Sequence, residues 1–132
     1  MIFVDSSFWI GLSSRREARH EQALALLSAH ARSALVTTNH VVGETWTFVR
    51  RRQPHDGAFS FLDRLRRTER LSVSFVAAEL ETEAWEWLRR HDERRYSFVD
   101  ATSFAMMRRL GIHEALAFDE DFAAAGFVEL RP

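Results

Sequence analysis

The chain has 132 residues, 46% of them hydrophobic, and a net charge of −1, which suits one packed domain and argues against global disorder. It has no cysteine, so disulfides, zinc–thiolate sites and thiol catalysis are excluded, and a reducing cytoplasm is compatible. All 18 basic residues are arginine. The missing lysine removes P-loop and Schiff-base chemistry, while arginine can hold phosphate bidentately. A GC-rich coding sequence would also produce this arginine bias. No stretch approaches ~18 consecutive apolar residues, and the first residues lack the basic region of a signal peptide. The expectation is a cytoplasmic protein with no membrane span.

Ile2-Phe3-Val4 reads as a short buried strand ending at Asp5, and Ser6 or Ser7 as the N-cap of a helix over Phe8–Leu12. A helix is expected from Arg15 to Ala31, with His20, Ala23, Leu24, Leu27 and Ala31 on its stripe. Ala34–Thr37 is a second strand, and Thr38-Asn39 starts a helix over His40–Arg52. On that helix Glu44 falls in line with Val41, Thr45 and Phe48, where an apolar residue is expected.

Pro54 or Asp56 opens a helix over Gly57–Arg67, and Leu71–Phe75 is a third strand. Ala77–His91 is a helix with acids in its first turns and Arg89 and Arg90 in its last, as the helix dipole favours. A charged connection, His91–Tyr96, leads to Ser97, the N-cap of a helix over Phe98–Leu110 that Gly111 ends. Ala115–Phe118 is a fourth strand, Asp119–Phe122 follows at its carboxyl end, Ala123–Gly126 turns back, and Phe127–Leu130 is a last strand. Strands separated by helices predict an α/β fold. Its mostly parallel sheet of about five strands is flanked by helices on both faces, in a single domain spanning residues 1–132.

Carboxylates recur where a core-facing or sheet-edge position is expected: Asp5, Glu44, Asp100, Asp119 and Asp121. Each has a plain alternative. Asp5 can cap its helix, Ser97 with Asp100 forms a capping-box pattern, and Asp119 and Asp121 can cap a short turn. Yet Asp5 and Asp119 both end strands, Asp100 opens a helix, and Glu44 lies one turn into another. In a parallel sheet these places share the carboxyl edge. Converging carboxylates either take up protons or share a cation. Oxygen-only ligands suit Mg²⁺ or Mn²⁺, and such an ion serves the in-line hydrolysis of a phosphate ester.

These residues resemble the PIN-domain family, and within it the VapC-type toxin ribonucleases. Phe3-Val4-Asp5-Ser6-Ser7 is similar to the family's first motif, and Thr37-Thr38-Asn39 through Glu44-Thr45 to its second. Phe98-Val99-Asp100-Ala101-Thr102-Ser103-Phe104-Ala105 is the most specific match, followed by Leu110-Gly111-Ile112. Ala117-Phe118-Asp119-Glu120-Asp121-Phe122 with Ala125-Gly126-Phe127 resembles the closing motif. Thr38 and Asn39 depart from the pattern without touching the acids.

The resemblance implies a Mg²⁺- or Mn²⁺-dependent endoribonuclease, the toxin of a toxin–antitoxin pair, working as a homodimer restrained by a small antitoxin. It carries over Asp5, Glu44 and Asp100 as metal-site acids, with Asp119 preferred over Asp121 as the fourth. Ser6 and Ser103 are expected to orient water or phosphate. Setting Asp5, Glu44, Asp100 and Asp119 aside leaves the rest of the chain mildly basic. Arg94 and Arg95, just before the Asp100 helix, are candidate contacts to RNA phosphates. Trp9, Trp46, Trp85 and Trp87 are expected in the core or a dimer interface. Two other classes compete: a PIN fold serving only as an RNA- or protein-binding module, and a phosphoacceptor domain of response-regulator type. Retention of every acid argues against the first, and the missing lysine against the second.

Overall fold

The computed structural model describes residues 1–132. In chain order the elements are β1 (Ile2–Val4), α1 (Ser6–Ser13), α2 (His20–Ala29), β2 (Leu35–Thr38), α3 (Asn39–Arg52) and α4 (His55–Arg66). They continue with β3 (Leu71–Ser74), α5 (Ala78–Arg90), α6 (Phe98–Leu110), β4 (Glu114–Leu116), α7 (Asp121–Ala124) and β5 (Val128–Glu129). The five strands form one sheet in the order β3-β2-β1-β4-β5, and every pair is parallel.

Central strands of a parallel sheet are covered on both faces and therefore read as continuous apolar runs. Ile2, Phe3 and Val4 are all buried, as are all four residues of β2. Phe3 pairs with Val36 on one side and Ala115 on the other. The chain winds outward from β1 to β2 and β3, then returns to the far side of β1 for β4 and β5. That reversal opens a crevice at the carboxyl ends of β1 and β4, where such sheets collect ligands.

Helix α6 is buried throughout Asp100–Met107. Its Phe104 meets the rings of Trp87, Tyr96, Phe122 and Phe127. Burial this deep makes Phe104→Ala worth about 3–5 kcal/mol of stability. Gly111 closes the helix at φ 67°, a left-handed conformation that glycine adopts without steric cost. No helix is long and apolar enough to cross a membrane.

Several local expectations are corrected. Asp5, not Ser6 or Ser7, is the N-cap of α1. Helix α2 starts at His20 rather than Arg15, and no side chain caps its start. Strand β3 ends at Ser74 rather than Phe75, and both Val73, on this edge strand, and Phe75, just beyond it, are exposed. Phe48 is also exposed, so the buried stripe of α3 is Val41, Thr45 and Val49. Of the tryptophans, Trp9 and Trp87 are core residues, Trp46 packs partly buried against the core, and Trp85 is 56% exposed.

Candidate active site

Asp5 follows β1 directly, and its backbone N–H extends the ladder to Leu116 O at 3.0 Å. This fixes its backbone between two central strands. Its extended conformation, φ −91° and ψ 163°, leaves the side chain free to cap α1. Oδ2 accepts the Ser7 N–H at 3.1 Å and the Ser7 hydroxyl at 2.7 Å. Oδ1 is fully buried and has no hydrogen-bond partner. A buried carboxylate oxygen without a partner is costly, and the cost disappears when a cation meets it.

Asp100 reaches the same place from the N-terminus of α6. The capping box is complete, with Ser97 Oγ accepting the Asp100 N–H and Asp100 Oδ2 accepting the Ser97 N–H, both at 3.0 Å. The cap and the site are therefore the same residue, and the local alternative does not exclude the chemical one. Asp119 follows β4, and its Oδ1 accepts the Asp121 N–H at 3.1 Å. One carboxylate oxygen from each of Asp5, Asp100 and Asp119 lies within 4.8 Å of the others. None of the three forms an ion pair with arginine or histidine.

Glu44 stands beside this trio on α3. Its Oε2 accepts the Ser6 hydroxyl at 3.0 Å, linking the first turn of α1 to α3. It lies outside the tightest group of oxygens but close enough to feel the charge of Asp119 and to act on Asp100.

The crowding shows in the acidities. Burial, then the charge of Asp119, pushes the Asp5 carboxyl well above the usual range against the pull of the Ser7 hydrogen bonds. Burial raises Asp100 to about 6, opposed mainly by the Ser97 amide. Asp119 is exposed as a residue, but its carboxylate faces the other acids; desolvation and then Asp100 raise it to about 6. Burial also raises Glu44, opposed by the Ser6 hydroxyl. Oxygen donors alone, one of them orphaned, with no basic side chain paired to them, fit a hard divalent cation.

A PIN-domain family model matches residues 2–128. The chain belongs to the PIN-domain family. Over 132 residues it is 54% identical to the 23S rRNA-specific endonuclease VapC20 of Mycobacterium tuberculosis, in both strain CDC 1551 / Oshkosh and strain H37Rv, covering all of this chain and 99% of the relative. The crystal structure of that protein, a sarcin-ricin loop cleaving toxin, superposes with a TM-score of 0.92 over 100% of both chains. PIN-domain nucleases use divalent metal ions.

Other residues expected at this PIN-domain site lie at varying distance from its centre. Asp121 is turned to Arg94, which donates from Nε at 2.9 Å and approaches from Nη2 at 2.8 Å. Arg94 is therefore engaged by an acid, while Arg95 is exposed and makes no side-chain hydrogen bond or ion pair. Ser103 is fully buried and donates to Val99 O at 2.9 Å, within α6.

Two residues beside the acidic cluster take roles that the sequence reading did not give them, Ser7 having been read only as a possible helix cap. Ser7 accepts the Phe118 N–H at 2.9 Å while donating to Asp5, so it joins the ends of β1 and β4. Its place in a second hydroxyl position after the strand-end acid was the available signal. Glu129, in the last strand, has a buried side chain that accepts the N–H groups of Glu120 and Ala123. Nothing in its neighbourhood along the chain signals that role.

Proposed function

We propose that this PIN-domain protein is a metal-dependent endoribonuclease, the toxin of a toxin–antitoxin pair, and that its substrate is the sarcin-ricin loop of 23S ribosomal RNA. The observation that carries the metal-dependent reading is the convergence of Asp5, Asp100 and Asp119 within 4.8 Å, with a buried orphan oxygen on Asp5. Full-length likeness at 54% identity to a 23S rRNA-specific endonuclease supports the substrate class.

Asp5, Asp100 and Asp119 would hold a Mg²⁺ ion, or Mn²⁺ in its place, with Glu44 at the rim and Asp121 in reserve. When bound, such an ion lowers the pKa of water and offsets charge on the scissile phosphate. The protein's own part is to keep these carboxylates in register before RNA arrives. Ser7 fixes Asp5, the capping box fixes Asp100, and Ser6 fixes Glu44. Ser6, which donates to Glu44, would in this reading accept a hydrogen bond from a water beside that carboxylate. Hydrolysis adds water oxygen to phosphorus and breaks the bond to the 3′ oxygen, leaving 5′-phosphate and 3′-hydroxyl ends.

Arg95 contributes a phosphate contact, and Arg94 does so when RNA competes with Asp121 for it. Ser103 supports the α6 backbone behind Asp100. The protein acts in the cytoplasm as a single-domain homodimer, held inactive by a small cognate antitoxin; size measurement of the purified chain and of the co-expressed pair tests this. The activity itself is tested by incubating purified protein with sarcin-ricin loop RNA and Mg²⁺ or Mn²⁺. Cleavage that chelation stops supports the reading. Intact RNA under every ion leaves a PIN fold that binds without cutting.

A further inference from the structure

Asp119 differs from Asp5 and Asp100 in capping no helix. It sits on the turn between β4 and the four-residue helix α7, next to Glu120, the one non-glycine residue with positive φ, at 69°. What holds this turn comes from the end of the chain. Glu129 Oε1 accepts the Glu120 N–H at 3.3 Å, and Oε2 accepts the Ala123 N–H at 3.1 Å. The Glu129 side chain is only 3% exposed, and Arg131 Nη2 donates to its Oε1 at 2.8 Å. Arg131 Nη1 in turn donates to Ala117 O at 2.8 Å, two residues before Asp119, while the guanidinium covers the Phe118 ring. The turn carrying Asp119 is thus bracketed by one pair, on its strand side through Arg131 and on its helix side through Glu129.

We infer that Glu129 and Arg131 are positioning residues that set the carboxylate of Asp119 against Asp5 and Asp100 and so set the site's affinity for its cation. The inference rests on the metal-dependent reading of the acidic site. Neither residue touches the reacting atoms; both act through the Glu120 and Ala123 amides and the Ala117 carbonyl. A glutamine at 129 keeps the shape but offers one carbonyl oxygen where two carboxylate oxygens now accept, and it turns an NH₂ group toward an N–H.

Mn²⁺ binding by calorimetry, alongside the unfolding midpoint, tests this on the full-length protein carrying Glu129→Gln or Arg131→Gln, with Glu114→Gln, at the exposed first position of β4, as a control. Both variants are expected to bind Mn²⁺ roughly 10-fold more weakly, as when a partner that orients a metal ligand is removed. Glu120 and Ala123 amides should exchange hydrogen faster, while those of β1 stay protected. The arginine variant separates positioning from charge. Removing a positive group near an acidic site would tighten cation binding if charge alone mattered, and loosen it if Arg131 positions Asp119. Tighter or unchanged binding in Arg131→Gln overturns the inference, even if Glu129→Gln fails to fold. Failure of the unaltered protein to bind Mn²⁺ would instead overturn the metal-dependent reading itself.

Discussion

Ser7 and Phe118 are 111 residues apart, yet the Phe118 N–H donates to the Ser7 hydroxyl at 2.9 Å while that hydroxyl donates to Asp5 at 2.7 Å. One side chain therefore locks the end of β4 to the end of β1 and aims the first acid of the site. Removing it leaves the Phe118 amide without a partner and Asp5 Oδ2 with the Ser7 N–H alone. Ser7→Ala is expected to lower stability by about 1–3 kcal/mol, the cost of leaving a buried polar group unsatisfied. Denaturant unfolding checks this, and a stability equal to that of the unaltered protein would show that water replaces the hydroxyl at no cost.

Asp100→Asn separates the cap from the charge. Asparagine keeps an oxygen to accept the Ser97 N–H, so the start of α6 should hold. Loss of a buried negative charge beside Asp119 should raise the melting temperature of the metal-free protein at neutral pH. The same variant should lose the stabilisation that added Mn²⁺ gives the unaltered protein. Thermal melts with and without the ion measure both, and a lower metal-free melting temperature would mean that the charge itself supports the cap.

Acidity gives a third expectation. The carboxyls of Asp5, Asp100 and Asp119 are raised in the folded protein, the latter two to about 6. A raised folded pKa means that protonation favours the fold. The contribution is complete below the ordinary carboxylate range and is lost as pH rises through about 6. For Asp100, which is buried, this amounts to something on the order of 2–3 kcal/mol. Metal-free protein should therefore melt higher near pH ~4.5 than near ~7.5 as far as these groups are concerned. Added Mn²⁺ should stabilise it much more at the higher pH, where it no longer competes with protons. Equal metal-induced shifts at both pH values would place the ion elsewhere.

Ser6 and Glu44 form one unit across α1 and α3. Glu44→Gln keeps an oxygen to accept the Ser6 hydroxyl, so it should fold normally while cutting RNA roughly 10-fold or more slowly. If the two residues act together, Ser6→Ala added to Glu44→Gln costs little beyond the single change. Fully additive rate losses in that double-mutant cycle would separate their roles.

Much of this was legible in the chain itself. The apolar runs ending in Asp5 and Asp119 and the Ser97–Asp100 spacing are local patterns, and a parallel sheet brings their ends to one edge. Glu44 was legible because it interrupts an apolar stripe. Edge exposure was not: Leu71, Val73 and Phe75 alternate as a half-buried strand would, yet β3 is an edge strand on which Val73 is exposed, and Phe75 lies just past its end, exposed as well. Nor was the traffic between distant segments. Arg94 reads as a phosphate contact from its place in the chain, and its pairing with Asp121, 27 residues on, is supplied only by the fold. Ser7 and Glu129 take their roles from partners that the fold supplies.

Cleavage of sarcin-ricin loop RNA by the purified, antitoxin-free protein, with Mn²⁺ or with a chelator, tests the central claim most directly, set beside Asp5→Asn and Asp100→Asn confirmed as folded by circular dichroism. The account predicts cleavage with the ion, none with the chelator, and none by either variant. Cleavage that persists in the chelator, or that survives Asp100→Asn unchanged, would contradict it.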